Sequence, residues 1–120
     1  MGWIQRRAAS FGHAFRGMRW VALHERNGKY HIGHVALCLL LAPALGVLPF
    51  CVAFISLGME CMNSALERAV DIAVEGERRK LARIAKDAAS AAVLCCLIAS
   101  VAADISCVID TLSRAGFLRA

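Results

Sequence analysis

The strongest constraint on this chain is a run of thirty residues, 30–59, that contains no Asp, Glu, Lys or Arg. About 20 helical residues cross a hydrocarbon core of ~30 Å, so the run is too long for one membrane span. Pro43 and Pro49 interrupt it, with Gly46 between them, and proline removes a backbone donor and restricts the residue before it. We therefore expect a tight hairpin that turns within residues 42–49 and joins spans at 30–46 and 48–72. A single kinked helix is the alternative.

A first span of about fifteen residues would cover only about 22 Å, which is less than the hydrocarbon core. A third apolar segment, 88–110, follows a charged segment, 73–87, which we expect to form a cytosolic loop. With 120 residues, 59% of them hydrophobic, the chain is predicted to be one all-α integral membrane domain.

The N-terminal segment, residues 1–29, has apolar side chains at helical spacing, with basic residues near the opposite side. This pattern, together with Trp3 and Trp20, predicts an amphipathic helix lying at the membrane surface. Twelve of the fourteen Lys and Arg residues fall on one side of the three-span arrangement, and none falls in the hairpin turn. The positive-inside rule makes that side the cytosol.

The composition argues against several other classes of protein. The net charge of +5 comes from basic residues that flank apolar segments, where anionic lipid headgroups are the simpler partner, and no aromatic-basic motif indicates nucleic-acid binding. The six cysteines lie in apolar stretches without a C-x-x-C pair, so neither a zinc site nor a disulfide framework is expected. His24, His31 and His34 are expected at the membrane interface rather than on a metal.

Just after the charge-free run, polar residues share one face of a predicted helix. Glu60, Asn63, Glu67 and Asp71 lie within about 80° of one another around the helix axis. Carboxylates at a lipid boundary are costly and by default functional.

The same cytosolic surface is expected to receive Glu25, Lys86 and Asp87. Several carboxylates around a lysine suit Mg²⁺ and a nucleotide phosphate. The sequence has no G-x-x-x-x-G-K-[ST] or G-x-G-x-x-G loop, so any nucleotide must be held by side chains from several helices. Phosphoryl transfer to a lipid hydroxyl is one possibility among several.

Several blocks of sequence resemble the prokaryotic diacylglycerol kinase family, which includes undecaprenol kinases. The resemblance covers about residues 10–95 in the family's order. The blocks are Ser10-Phe11-x-x-Ala14-Phe15-Arg16-Gly17-Met18-Arg19, Glu25-Arg26-Asn27-x-x-x-His31, Glu60-x-x-Asn63-Ser64-Ala65-x-Glu67-x-x-x-Asp71, and Ala85-Lys86-Asp87-x-x-Ser90-Ala91-Ala92-Val93-Leu94.

The resemblance implies a homotrimer in the bacterial inner (cytoplasmic) membrane, with active sites between subunits that face the cytosol. It implies a Mg²⁺- and ATP-dependent transfer to a membrane lipid alcohol, either diacylglycerol or undecaprenol. By position Glu60 matches the catalytic base, and Glu25 and Glu67 match the glutamates that hold Mg²⁺ and contact the nucleotide. The remaining matches are Lys86 and Asp87 as nucleotide contacts, Asn63 and Asp71 as polar supports, Arg6 and His13 on the nucleotide side, and Ser90 on the lipid side.

The sequence departs from the family pattern before the Ala-Lys-Asp block. Glu77-Arg78-Arg79 stands where the family often has Glu-Tyr-His, and we expect Glu77 to contact the nucleotide and Arg78 and Arg79 to contact phosphate. Arg16 is expected to contact substrate or a phospholipid headgroup. Asn27 is expected to support the site, and the block that contains it favours undecaprenol slightly.

The sequence therefore predicts a membrane lipid kinase. A small proton-coupled transporter that uses Glu60 is the alternative, but it gives no reason for Glu25 or for Lys86-Asp87. A purely structural membrane subunit is a third class.

Overall fold

The computed structural model describes residues 2–73 and 79–117. Within these ranges the chain is all-helical, and α2, α3 and α4 are each long and apolar enough to cross a membrane. The predicted all-α fold with three candidate spans is therefore confirmed for the described part of the chain. The helices are α1 (Trp3–His24), α2 (Arg26–Leu45), α3 (Leu48–Ala73) and α4 (Arg79–Arg114).

The first span begins earlier than expected. Glu25 has an extended backbone (φ −96°, ψ 129°) that ends α1, and α2 starts at Arg26 rather than at residue 30. Its 20 residues give a length of about 30 Å, which matches a hydrocarbon core. The predicted shortfall in length therefore disappears, because the basic residues Arg26 and Lys29 belong to the first turn of the helix, where long side chains can reach the headgroups.

The hairpin turn consists of Gly46 and Val47, inside the segment expected to turn. Gly46 has φ 82°, in the left-handed region that glycine adopts without steric cost. Pro49 is the second residue of α3, where a missing backbone N–H leaves no helical hydrogen bond unmade.

The cytosolic loop expected over residues 73–87 is shorter in the structure. α4 begins at Arg79, so residues 79–87 are helical and only 74–78 separate the described ends of α3 and α4. Arg, Lys, Leu and Ala dominate this stretch, which has no Gly or Pro, and these residues favour a helix despite the charge. With 36 residues, about 54 Å in length, α4 extends past the hydrocarbon core.

Helix α3 lies at the centre and packs against both α2 and α4. Its buried face combines small and polar residues at helical spacing, namely Ala53, Ser56, Glu60 and Ser64, with the larger apolar Leu57. Small side chains let neighbouring helices approach closely in lipid. Glu60 therefore sits on the face that holds the bundle together.

Helix α1 packs on the rest of the chain through one end. Val21 is buried against the start of α2, whereas Phe11 and Phe15 remain exposed. Exposed apolar side chains on an amphipathic helix agree with a position of α1 at the membrane surface. That position stays a prediction.

The α1–α2 corner depends on a residue without a side chain at position 28. A Cβ added at Gly28 would lie 2.5 Å from Val21 Cγ1 and 2.7 Å from Val21 O, whereas one added at Gly33 would meet no heavy atom within 4 Å. We expect Gly28→Ala to destabilise the fold by about 1–3 kcal/mol through overpacking. Gly33→Ala should be neutral or slightly stabilising, because alanine favours a helix over glycine. Thermal unfolding of both variants in detergent, followed by circular dichroism, checks this, and equal melting temperatures would contradict it.

Candidate active site at one end of the bundle

The four polar residues predicted to share a face of α3 run from buried to exposed along the helix. Glu60 is only 3% exposed, Asn63 is buried, Glu67 is half-buried and Asp71 is exposed. The rise from Glu60 to Asp71 is about 16 Å. The face thus leads from the bundle core to the C-terminal end of α3.

Glu60 lies in an environment that does not satisfy its carboxylate. Its Oε2 is buried and has no hydrogen-bond partner among the described residues. Glu25 and Glu67 are near enough for their negative charges to repel that of Glu60. A buried carboxylate oxygen without a partner is unfavourable unless another group, such as a substrate hydroxyl, occupies the place beside it.

Asn63 holds Glu67 in position. Asn63 Nδ2 donates a hydrogen bond of 3.2 Å to Glu67 Oε1, one helical turn away. The other end of the amide, Asn63 Oδ1, is buried and lacks a partner in the described part of the chain. The Asn63 side chain therefore supports one carboxylate and leaves an acceptor free.

Arg68, which the sequence analysis counted only as a cytosolic charge, connects three elements of the site. Its Nη2 donates a hydrogen bond of 2.9 Å to Glu25 Oε1, and its Nη1 donates one of 3.1 Å to Ser64 O. Its guanidinium carbon also lies 3.8 Å from the centroid of the Trp20 ring, a cation–π contact. Glu25 is thereby held beside α3. Arg68 and Glu25 are 43 residues apart, and no local sequence pattern indicates that they pair. The one relevant feature of the sequence is the basic residue directly after Glu67.

Lys86 and Asp87 belong to a second group of polar residues, where the C-terminal end of α3 lies beside the N-terminal end of α4. Lys86 Nζ donates a hydrogen bond of 2.5 Å to Asp71 Oδ1. Arg79 and Arg83 line the same cleft, whose volume is about 380 Å³. Its basic side chains suit an anionic group such as phosphate. Arg83 was not predicted from the sequence, although it lies one turn before Lys86.

An apolar groove runs between α2 and α4 and has a volume of about 580 Å³. Asn27 and Ser90 line it together with His31 and His34, so the predicted supporting and lipid-side residues share one groove. Its other lining residues are Tyr30, Val93, Leu94, Leu97 and Val101. Such a lining suits a hydrocarbon chain with a polar end.

The remaining predicted residues lie apart from these groups or outside the described ranges. Arg6, His13 and Arg16 are exposed on α1, where Arg16 Nη2 contacts His13 Nδ1 at 2.7 Å. None of the side-chain contacts found in the described residues joins these three to the acidic face. Glu77 and Arg78 lie outside the described residues.

The carboxylates of Glu25, Glu60 and Glu67 suit a hard divalent cation that keeps much of its own coordination shell. Their ligand atoms do not form a compact three-ligand cluster, since the one such cluster in the described ranges is His34, Cys38 and Asp104. Mg²⁺ usually binds through one or two carboxylates and completes its shell with waters and substrate phosphates. The repulsion that Glu25 and Glu67 exert on the charge of Glu60 fits an ion held between these carboxylates.

Comparison with known proteins gives the same answer as the residue pattern. The prokaryotic diacylglycerol kinase family matches residues 12–108. An undecaprenol kinase of Bacillus subtilis (strain 168) is 36% identical over 110 residues, which are 86% of this chain and 83% of the relative. A diacylglycerol kinase of Synechocystis sp. is 35% identical over 99 residues, 77% of this chain but only 56% of that longer relative. The chain therefore belongs to the prokaryotic diacylglycerol kinase family.

Proposed function

We propose that this chain is a membrane lipid kinase that transfers the γ-phosphate of ATP to the hydroxyl of diacylglycerol or undecaprenol at the cytosolic face of the bacterial inner membrane. The observation that carries the proposal is the buried Glu60, whose Oε2 lacks a partner within the described residues and whose helix face also carries Asn63, Glu67 and Asp71. Neither the family nor the named relatives support the proton-coupled transporter.

Glu60 is proposed to act as the general base. A lipid hydroxyl beside Oε2 would satisfy the unpartnered oxygen and donate its proton to it as the hydroxyl oxygen attacks the γ-phosphorus. General-base assistance of this kind contributes about 10²–10⁴-fold to a rate. The exclusion of water from a site only 3% exposed strengthens each electrostatic interaction there.

Glu25 and Glu67 are proposed to hold Mg²⁺ together with the phosphates of ATP. When bound, Mg²⁺ supplies neutralisation of the charge on the β- and γ-phosphate oxygens. The chain's own contribution is to keep both carboxylates in place, through the hydrogen bonds from Arg68 to Glu25 and from Asn63 to Glu67.

The cleft at the cytosolic end of α4 is proposed to bind the nucleotide. Lys86, Arg79 and Arg83 supply positive charge for the phosphates, and Asp87 supplies an acceptor. Family resemblance adds Arg6 and His13 on the nucleotide side, and the segment that departs from the family pattern adds Glu77 and Arg78. Asp71 orients the ammonium group of Lys86 through their hydrogen bond.

The groove between α2 and α4 is proposed to take the hydrocarbon chain of the acceptor lipid. Ser90 and Asn27 would contact its polar end, while the apolar lining contacts the chain. Arg16 is proposed to contact the substrate or an anionic headgroup.

The proposal includes a homotrimer with sites between subunits, as the family resemblance implies. Within one chain Lys86 pairs with Asp71, about 16 Å along α3 from Glu60. A neighbouring subunit offers a way to bring nucleotide-binding side chains nearer to Glu60.

Exchanging each carboxylate for its amide should separate the roles of Glu60 and Glu67. We expect Glu60→Gln to leave ATP binding largely intact and to lower the transfer rate by at least about 10²-fold, because an amide cannot accept the proton. Glu67→Gln should mainly raise the concentration of Mg·ATP needed for half-maximal rate. Nucleotide binding and steady-state transfer in mixed micelles measure both effects. Near-normal turnover in either variant would contradict the role given to that residue.

Arg68 should affect the Mg²⁺ requirement as a positioning residue. We expect Arg68→Ala to raise the Mg²⁺ concentration for half-maximal activity by about tenfold, because Glu25 loses the group that orients it. Arg114→Ala is the matched control, since Arg114 forms an exposed pair with Asp110 on the far end of α4. A purely structural loss would lower the rate without moving the Mg²⁺ dependence, and that result would contradict the assignment.

The acceptor can be identified directly from the labelled product. Purified protein in mixed micelles is incubated with labelled ATP, Mg²⁺ and either diacylglycerol or undecaprenol, and the lipids are separated by chromatography. We expect undecaprenol to be phosphorylated faster, in line with the block from Glu25 to His31, and Glu60→Gln to label neither lipid. Labelling of neither lipid by the unchanged protein would refute the proposed function.

A further inference from the structure

Three side chains with metal-binding atoms, the part-buried His34 and Asp104 and the buried Cys38, meet between α2 and α4, away from the acidic face. His34 and Cys38 lie one turn apart on α2, and Asp104 faces them from α4. His34 Nε2 is 2.7 Å from Asp104 Oδ2, and Cys38 Sγ is 3.7 Å from Asp104 Oδ1. All the ligand atoms lie within 4.8 Å of one another.

This cluster lies at the depth of the hydrocarbon core. Thr111 Oγ1 donates to Ala44 O, which aligns the far ends of α4 and α2, and Asp104 lies seven residues before Thr111, about 10 Å further inside. On the cytosolic side, His31 Nδ1 contacts Ser56 Oγ at 3.3 Å, which aligns α2 with α3. Counted from this contact, His34 lies about 10 Å and Cys38 about 16 Å from the level of Glu60, toward the far side.

The proposed kinase mechanism gives no role to Asp104 or Cys38, and His34 enters it only as part of the groove lining. A carboxylate within a membrane is rare and usually pairs with another group or marks a functional site. The contact with His34 is enough to satisfy the Asp104 carboxylate, so it does not explain why a buried thiol lies beside them. Cys38 is only 5% exposed, and at 3.7 Å its thiol makes no more than a weak hydrogen bond.

The donor set differs in kind from the carboxylates near Glu60. Imidazole nitrogen, thiolate sulfur and carboxylate oxygen together suit Zn²⁺, whereas Mg²⁺ prefers oxygen alone. Bonds of about 2.0–2.3 Å in a tetrahedral site separate ligand atoms by about 3.3–3.8 Å. The separations from the Asp104 oxygens, 2.7 Å to His34 and 3.7 Å to Cys38, fall on either side of the lower part of this range, and all the ligand atoms lie within 4.8 Å, so side-chain rotations would be needed to admit an ion.

We propose that His34, Cys38 and Asp104 bind Zn²⁺ or a similar divalent transition-metal ion, which links α2 to α4 inside the membrane. One thiolate and one carboxylate cancel the two positive charges, so the loaded site is neutral and suits an apolar setting. Binding displaces the thiol proton of Cys38 to the solvent. A water or a nearby polar group completes the coordination. This inference goes beyond the proposed kinase function and does not depend on it.

Cobalt binding tests the site without any assay of lipid phosphorylation. Metal-free protein in detergent micelles, with excess Mg²⁺ to occupy hard oxygen sites, is titrated with Co²⁺ while its absorption spectrum is recorded. We expect one Co²⁺ per chain and a thiolate-to-cobalt charge-transfer band in the near ultraviolet, which Zn²⁺ then displaces.

Matched variants identify the ligands. Cys38→Ser should abolish the charge-transfer band, and His34→Ala and Asp104→Asn should weaken Co²⁺ binding by more than about tenfold. Cys51→Ser and Cys95→Ser, both at exposed cysteines, should keep the band, as should Glu67→Gln at the acidic face. Circular dichroism of each variant verifies that its helices are intact.

Several results would overturn the proposal. Absence of a saturable charge-transfer band in the unchanged protein would show that His34 and Asp104 form a hydrogen-bonded pair between helices and nothing more. Retention of the band in Cys38→Ser, or its loss in Cys95→Ser, would place the thiolate elsewhere.

Discussion

The burial of a carboxylate on the face of α3 that packs against α2 and α4 is the constraint on which the rest of the bundle depends. An ionised oxygen excluded from water is unfavourable unless other groups compensate it. The chain places small and polar residues around Glu60 and leaves Oε2 without a partner in the described residues. An apolar residue at position 60 would pack more favourably here. The general-base role proposed for Glu60 accounts for this unfavourable burial, because it needs a basic carboxylate oxygen that is shielded from water. Membership of a kinase family agrees with that role.

Much of the architecture followed from the sequence because its signals are local. The charge-free run, the helical spacing of Glu60, Asn63, Glu67 and Asp71, and the turn residues around Gly46 each act within a few neighbouring positions. The starts of α2 and α4 could not be predicted from hydropathy. Hydropathy marks where charged residues give way to apolar ones, whereas each helix continues across that boundary. Arg26 and Arg79 therefore begin helices that the charge pattern assigned to other elements.

The unpredicted parts of the site are contacts between distant positions. Arg68 meets Glu25 and Trp20, and His34 meets Asp104 across 70 residues. The periodicity of a single sequence does not reveal contacts between such distant positions. The spacing of the cysteines and histidines along the chain therefore did not indicate a metal site. Only the register of α2 against α4, which run in the same direction, brings imidazole, thiol and carboxylate together.

The order of the helices also explains why the two sets of polar groups stay apart. Because α2 and α3 run in opposite directions, the contact between His31 and Ser56 determines which residues share a depth. From that level Glu60 lies toward the C-terminal end of α3, while His34 and Cys38 lie in the opposite direction, toward the C-terminal end of α2. A shift of one helical turn, about 5.4 Å, would move α2 out of alignment with both Ser56 and Asp104. The contacts of His31 with Ser56 and of His34 with Asp104 therefore keep the carboxylate face of α3 apart from the imidazole and thiol of α2.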